Sequence, residues 1–264
     1  MRKFLLPLIL LASSFPGCGP GLDTDSFHPG SVDGALFWYK AEQAYSTGNT
    51  WYWAESLGNQ TGLSLTGASA PSVLLGSLGQ KLMSLSSSSY FFAAYPTPTP
   101  TPTPSLSLSE FTVYAVMQRQ QTGTDSGIFG ILSNDLTVND CGNSNLSLGV
   151  TSAGRLQGQL LNGTNTVSTS IPASTGLSVV ELRYGSDGTL RLQAEGQSSS
   201  ASWPYQSVTI SSPQIGLGAA CLSSTQIATG NLSLGEVLFY NRAVSDSESL
   251  RIRRYLMLRH GVTQ

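Results

Sequence analysis

Residues 235–262 read GEVLFYNRAVSDSESLRIRRYLMLRHGV, and the hydrophobic period changes in the middle of this stretch. Gly235 to Asn241 has the short, apolar, aromatic-rich composition of a buried strand. The pattern then lengthens. Ser245 and Glu248 have the capping-box spacing, in which each side chain satisfies a free N–H at a helix start. Ile252, Tyr255 and Leu256 form an apolar stripe at helical spacing. Arg259 and His260 fall in the last turn, where cations favour the helix dipole, and Gly261 can take the left-handed cap. The segment therefore predicts a strand feeding a single C-terminal helix. Arg251, Arg253, Arg254 and Arg259 could attract an anion or a lipid headgroup; the simpler reading is the solvated face of that helix.

Working outward, the rest of the chain is strand-like. ALFWYKA (35–41) and TWYWA (50–54) come early. In EFTVYAVMQ (110–118), period-two geometry puts Phe111, Val113, Ala115 and Met117 on one face. GIFGIL (127–132), LSLGV (146–150) and RLQGQLL (155–161) follow. SVVELRY and TLRLQAE flank GSDG at 185–188, a hairpin signal because Gly and Asp tolerate turn geometry. QIGLGAA (214–220) precedes the strand at 234–241. Many short strands with one helix predict an all-β fold, an antiparallel β-sandwich closed by a C-terminal α-helix.

Composition limits the function. The 264 residues carry a net charge of −2, and only 11% are charged, against roughly 25% in a typical soluble domain. Ser, Thr, Asn, Gln and Gly must make this surface polar. Nucleic acid is not an expected partner, because the basic field it needs is missing.

The first residues, MRKFLLPLILLASSFPGCGPG, join a basic start to an apolar stretch too short to span a bilayer. Ending in Gly17-Cys18, they resemble a bacterial lipoprotein signal. That resemblance implies a signal peptide at 1–17, lipid on Cys18, a flexible tether at 18–31, and an outer-membrane or cell-surface location with the membrane touched only through the lipid. The alternative is an ordinary signal peptide and a secreted protein. With Cys18 set aside, Cys141 and Cys221 remain as an even pair in an exported chain. A disulfide between them would add about 4 kcal/mol in the chain-entropy model; two separate thiols are the alternative.

From Pro96 to Pro104 proline alternates with threonine. Proline fixes φ and lacks an N–H, so this run is extended and semi-rigid, either a linker between domains or a loop within one.

The stretch at 235–262 resembles the closing signature of laminin-G-like, concanavalin A-like jelly rolls, GE[VIL]-[VIL]-x-Y-NR followed by A-[VL]-S and a helix. Gly235, Glu236, Val237, Tyr240, Asn241, Arg242, Ala243 and Ser245 carry the match, and His260-Gly261 stands in for the family's Tyr-Gly. ALFWYKAEQ, WAESLGNQT (53–61) and EFTVYAV resemble the family's earlier strands in order. The resemblance implies one jelly-roll domain over 32–264, with the ladder at 96–104 as a surface loop and Glu236 as a structural hydrogen-bonding residue.

Catalytic signals are sparse. There are two His, His28 and His260, which leaves little scope for a Ser-His-Asp triad or a His metal cluster. Glycosidases need two carboxylates across one cleft; Glu55, Glu110, Glu181, Glu195 and Glu236 are isolated in sequence. VELR (180–183) is similar to part of a strand of jelly-roll polysaccharide lyases, but the companion motifs of those enzymes are missing. Binding is the better expectation. Asn134, Asp135, Asn139, Asp140 and Asn143 crowd one loop with oxygens that suit Ca2+, which related jelly rolls bind; an Asx-rich turn is the simpler explanation, because EF-hand spacing is missing. Trp203 and Tyr205, in SASWPYQS, are candidates for stacking on sugar rings, or else plug the core, and Trp51 is a further candidate. The expected function is a non-catalytic binding or adhesion module for a polysaccharide, glycan or surface protein. The alternatives are a divergent carbohydrate-active enzyme and a structural component of a surface assembly.

Overall fold

The computed structural model describes residues 27–263, except 59–61, 67–68, 96–104, 134–140 and 223–225. The signal peptide, Cys18 and the proline ladder lie outside the described residues. A single turn of 3-10 helix, Pro29–Ser31, precedes the strands. They are β1 (Ala35–Thr47), β2 (Thr50–Glu55), β3 (Leu63–Thr66), β4 (Ser72–Leu75), β5 (Lys81–Leu85), β6 (Tyr90–Ala94), β7 (Ser105–Leu108), β8 (Phe111–Arg119), β9 (Ser126–Leu132) and β10 (Ser144–Val150). Then come β11 (Arg155–Asn162), β12 (Asn165–Pro172), β13 (Leu177–Tyr184), β14 (Thr189–Ala194), β15 (Gln197–Ser202), β16 (Val208–Ser211), β17 (Gln214–Leu217), β18 (Ala219–Cys221), β19 (Ile227–Thr229) and β20 (Leu232–Tyr240), and the helix α1 (Asp246–His260).

The main sheet runs β12-β11-β10-β9-β17-β6-β3-β2-β1-β20-β8-β13-β14-β15, with β5 and β4 branching from β20. Its pairings are antiparallel, as the alternating segments predict. The path curls over itself into two layers, so that β12 and β15 at its ends approach each other. A side chain on Gly158 of β11 would collide with Leu182 of β13, its Cβ 2.3 Å from the leucine Cδ1. The layers therefore meet with glycine on one side and leucine on the other, the large-against-small packing that a dense core requires. Phe37, Phe111 and Phe239 stack at the centre, with ring centroids 5.0 Å apart for Phe37 and Phe239 and 6.3 Å apart for Phe111 and Phe239. Burial of each such ring contributes about 1.5–3 kcal/mol.

Strands on both sides of the ladder interleave in this sheet. β1 pairs with β20 and β6 pairs with β17, and Tyr95 and Leu108 share one core cluster.

β8 and β20 are buried on both faces. Phe111, Val113, Ala115 and Met117 enter the sandwich core, as their alternation predicts. Tyr114 and Val116 lie on the opposite face in a second cluster with Trp38, Leu238, Tyr240, Ile252 and Leu256. α1 is the lid of that second layer, which explains why these strands are hydrophobic throughout. The helix starts with the expected capping box at Ser245 and Glu248 and ends on Gly261 at φ 66°.

Two expectations are corrected. The tether does not extend to Ser31: Pro29 is buried, Tyr240 donates to its carbonyl at 3.0 Å, and Phe27 packs edge-on against Tyr255 of α1. Apolar Phe27 and Pro29 have a surface to bury against, so the packed chain begins there. The segment 214–220 is two strands rather than one. Gly218, at φ 78°, turns the chain between β17 and β18, and a Cβ there would meet Leu85. β18 leaves the main sheet to pair with β19, and Cys221 at its end is disulfide-bonded to Cys141, with the Cα atoms 5.6 Å apart.

Candidate functional site

The β13–β14 hairpin is held rigid by its turn. Gly188, at φ 73°, supplies the left-handed residue, and Asp187 Oδ1 accepts the Thr189 N–H at 2.9 Å. That hydrogen bond holds the Asp187 carboxyl below its ordinary range, so it is ionised at neutral pH. One register step into the ladder, Arg183 and Arg191 lie opposite each other. Like charges facing across a ladder repel, and here Arg183 is drawn aside. It donates to the Val244 carbonyl at 2.8 Å and to Asp246 at 2.7 Å. Asp246 is held below the usual carboxylate range by this hydrogen bond and charge. Arg191 is exposed, and its side chain forms no hydrogen bond among the described residues.

Between the hairpin and the strand–helix connection lies an open groove of 320 Å³, lined by Arg183, Ser186, Asp187, Thr189, Arg191 and Ala243. Its lining offers fixed guanidinium and hydroxyl donors, hydroxyl and carboxylate acceptors, and little apolar surface. Such a groove suits a hydroxylated, hydrated ligand better than an apolar one.

Of the aromatic candidates, the structure separates the pair. Trp203 is 4% exposed and belongs to the sandwich core. Its backbone N–H is given to the Gly188 carbonyl at 2.7 Å, which ties this segment to the hairpin turn. Trp203 is therefore not a ligand platform; it plugs the core. Tyr205 is 41% exposed, with its ring edge-on to Trp203 at 5.0 Å. The Tyr184 hydroxyl donates to its carbonyl at 2.6 Å, so Tyr205 is tied to the hairpin that bounds the groove. Trp51 is half-buried against the core, on another part of the sheet. Asn134, Asp135, Asn139 and Asp140 lie outside the described residues, and Asn143 is exposed on a bend. Among the described residues no three His, Cys, Asp or Glu gather as a metal site would require.

The isolated glutamates have structural partners. Glu55 accepts the backbone N–H of Trp38 and Leu57, at 2.8 and 2.7 Å. Glu110 accepts that of Ala243 at 3.3 Å, Glu181 the Ser249 hydroxyl at 2.5 Å, and Glu195 the Ser178 hydroxyl. Glu236 is 0% exposed and sits at the centre of a polar cluster under the C-terminal end of α1. It accepts Trp38 Nε1–H at 2.6 Å, contacts His260 Nε2 at 2.9 Å, and is paired with Arg259. Burial alone would push this carboxyl up. The hydrogen bond and charge of His260, the Arg259 charge and the Trp38 N–H outweigh it and hold the group below the usual range. Arg259 and His260 thus serve Glu236 as well as the helix dipole. His28 also arrives here, its ring 4.7 Å from that of Trp38. Sequence reasoning did not bring these groups together. The one available signal was that Glu236 interrupts an otherwise apolar strand that must be buried on both faces.

This fold has solved counterparts. The binding domain of botulinum neurotoxin DC in complex with SialylT superposes with a TM-score of 0.57 at 9% identity, covering 85% of this chain and 52% of that one. The botulinum neurotoxin type G receptor binding domain gives 0.55 at 12% identity, covering 85% and 51%. This chain thus spans about half the length of either toxin domain. The Ruminococcus gnavus IT-sialidase CBM40 bound to alpha2,3 sialyllactose gives 0.45 at 16% identity, over 55% of this chain and 83% of that one. At these identities the likeness to the two toxin domains is one of fold. No protein-family model and no curated protein matches the chain.

Proposed function

We propose that this protein is an exported, lipid-anchored binding module, laminin-G-like in type, that holds a glycan without turning it over. The observation that carries the proposal is the Arg183–Arg191 groove. It is a polar concavity on a rigid hairpin, with one guanidinium free of side-chain hydrogen bonds, at the edge of a sandwich whose described glutamates are engaged in holding the fold. A neutral or acidic sugar would donate hydroxyls to Asp187 and accept from Arg191, Ser186 and Thr189; a longer glycan passing over the hairpin turn would reach Tyr205, which is tied to that hairpin through Tyr184. A toxin domain of the same fold is solved in complex with SialylT, which is the kind of occupant the groove suits. Individual sugar contacts of this sort are weak, and many copies anchored through Cys18 would gain through avidity. Calcium held by the 133–145 loop belongs to the same proposal. A glycan array, run with and without chelator and followed by product analysis on each binder, tests it. Binding without cleavage is the expected result, and release by chelator would assign the calcium. Cleavage abolished by a single Glu substitution would replace the module with an enzyme.

A further inference from the structure

The outer face of α1 carries exposed leucine among its arginines. Leu250 is 62% exposed and Leu258 is 55% exposed. Together with Arg253, Arg254 and Met257 they occupy positions i, i+3, i+4, i+7 and i+8, the spacing of one continuous helix face. These residues and Val262 line a shallow groove of 270 Å³. The helix is thus apolar on both sides: Ile252 and Leu256 are buried against the sheet, and a leucine–arginine face looks outward. Beyond Glu248 the chain contains no acidic residue to its end at Gln264. Arg259 is neutralised by Glu236 and Glu42, so Arg251, Arg253 and Arg254 give the outer face its positive charge. The β4–β5 turn extends the apolar surface at the C-terminal end of α1. Leu78, 59% exposed, lies against Gly261, where a Cβ would sit 3.1 Å from its Cγ. Exposed leucine alternating with arginine is the composition of helices that rest in the interface of an anionic bilayer.

The entry point of the chain selects the bilayer over other occupants. Phe27, the first described residue, sits on α1, with the Arg251 guanidinium 4.4 Å above its ring and Tyr255 at its edge. The nine residues from Cys18 to Ser26 span at most about 30 Å when fully extended. A domain of this size is about 45 Å across. A lipid on Cys18 therefore cannot let the domain turn its far side to the membrane, while the side carrying α1 stays within reach of it, and the charge on that side decides whether it docks. We propose that the outer face of α1 is a membrane-contact surface, in which Leu250 and Leu258 enter the headgroup region and Arg251, Arg253 and Arg254 bind anionic lipid phosphates. This rests on the lipid-anchor part of the function proposed above.

The test uses the full lipidated chain reconstituted in vesicles of phosphatidylcholine and phosphatidylglycerol. A fluorophore is attached through Leu258→Cys in one sample and Ser186→Cys in another, and a headgroup-region quencher is placed in the bilayer. The expected result is quenching severalfold stronger at position 258 than at 186. Arg251→Glu with Arg254→Glu should abolish that difference while the protein stays on the vesicles, since each arginine contributes about fivefold at an anionic surface. Equal quenching at the two positions, or a difference that survives the double reversal, overturns the contact surface and leaves the anchor standing. A pairing of copies through α1 without lipid quenching also overturns it. If mass spectrometry of the exported chain finds no lipid on Cys18, the anchor fails, and the orientation inferred from it fails too.

Discussion

The two ends of α1 hold the same kinds of side chain in opposite conditions. Under the C-terminal end, Glu236, Arg259 and His260 form a closed cluster in which Glu236 and His260 are no more than 1% exposed. Beside the N-terminal end, Arg183, Asp187 and Arg191 border an open groove in which Arg191 keeps its side-chain donors free among the described residues. Arginine and carboxylate alone therefore say little about function. Burial and hydrogen-bond saturation separate a structural lock from a site. A desolvated, fully engaged carboxylate has no capacity left for a ligand, whereas an exposed guanidinium keeps its donors and costs about 0.5–1.5 kcal/mol of side-chain ordering when it binds.

The largest effect is expected on the closed side. Glu236→Ala leaves Arg259 and His260 facing a buried void, and breaking such a cluster from one side costs about 3–5 kcal/mol. Chemical denaturation should show that loss, with glycan binding by the fraction that remains folded intact. A loss below about 1 kcal/mol would mean that the cluster is not a lock. Trp203→Ala is expected to cost about 3–4 kcal/mol through the cavity it leaves. Tyr205→Ala, two residues away, should stay within about 0.5 kcal/mol, as exposed positions do. Equal costs for the two would erase the distinction between plug and platform.

A smaller effect sits at the helix start. Arg242 grips Glu248 at 2.6 and 3.0 Å, and mainly for that reason the Glu248 carboxyl is lowered to about 2. A carboxyl lowered on folding stabilises the native state fully above its unfolded value, near 4.5, and that contribution fades as pH falls toward 2. Partly exposed as the pair is, we expect about 1–2 kcal/mol. Glu248→Gln should remove this pH dependence between pH 5 and 2. An unchanged acid transition in the variant would contradict the assignment.

The strands with strong apolar alternation were legible in the sequence, because one face of each is core. β8, β13, β14 and β20 lie within a few residues of where their patterns put them, and the capping box marked the helix start. β12, NTVSTSIP, and β15, QSSSAS, were not legible. Their exposed faces are serine and threonine, and β15 has no fully buried residue, so a strand there looks like a loop. The Cys141–Cys221 disulfide could be paired by parity, but proximity needed the fold. Tyr205 was visible in the sequence as an aromatic candidate, and it is exposed on the segment tied to the β13–β14 hairpin. The groove itself was not, because the hairpin ladder sets Arg183 against Arg191 while the arrival of residues 243–246 from far along the chain closes its side. Trp203 was ambiguous because a tryptophan beside proline in a loop can plug or protrude, and only its packing in the folded sandwich decides it.

The most direct test of the central claim pairs Arg191→Ala with Tyr205→Ala in one protein. Its affinity for the best glycan from the array is compared with wild type, and its thermal unfolding is recorded alongside. The account predicts a loss of affinity of about tenfold or more, from one charged hydrogen bond and one stacking contact, with an unchanged unfolding transition. Full affinity in the double variant would place the site elsewhere on the sandwich and contradict the assignment of the open groove.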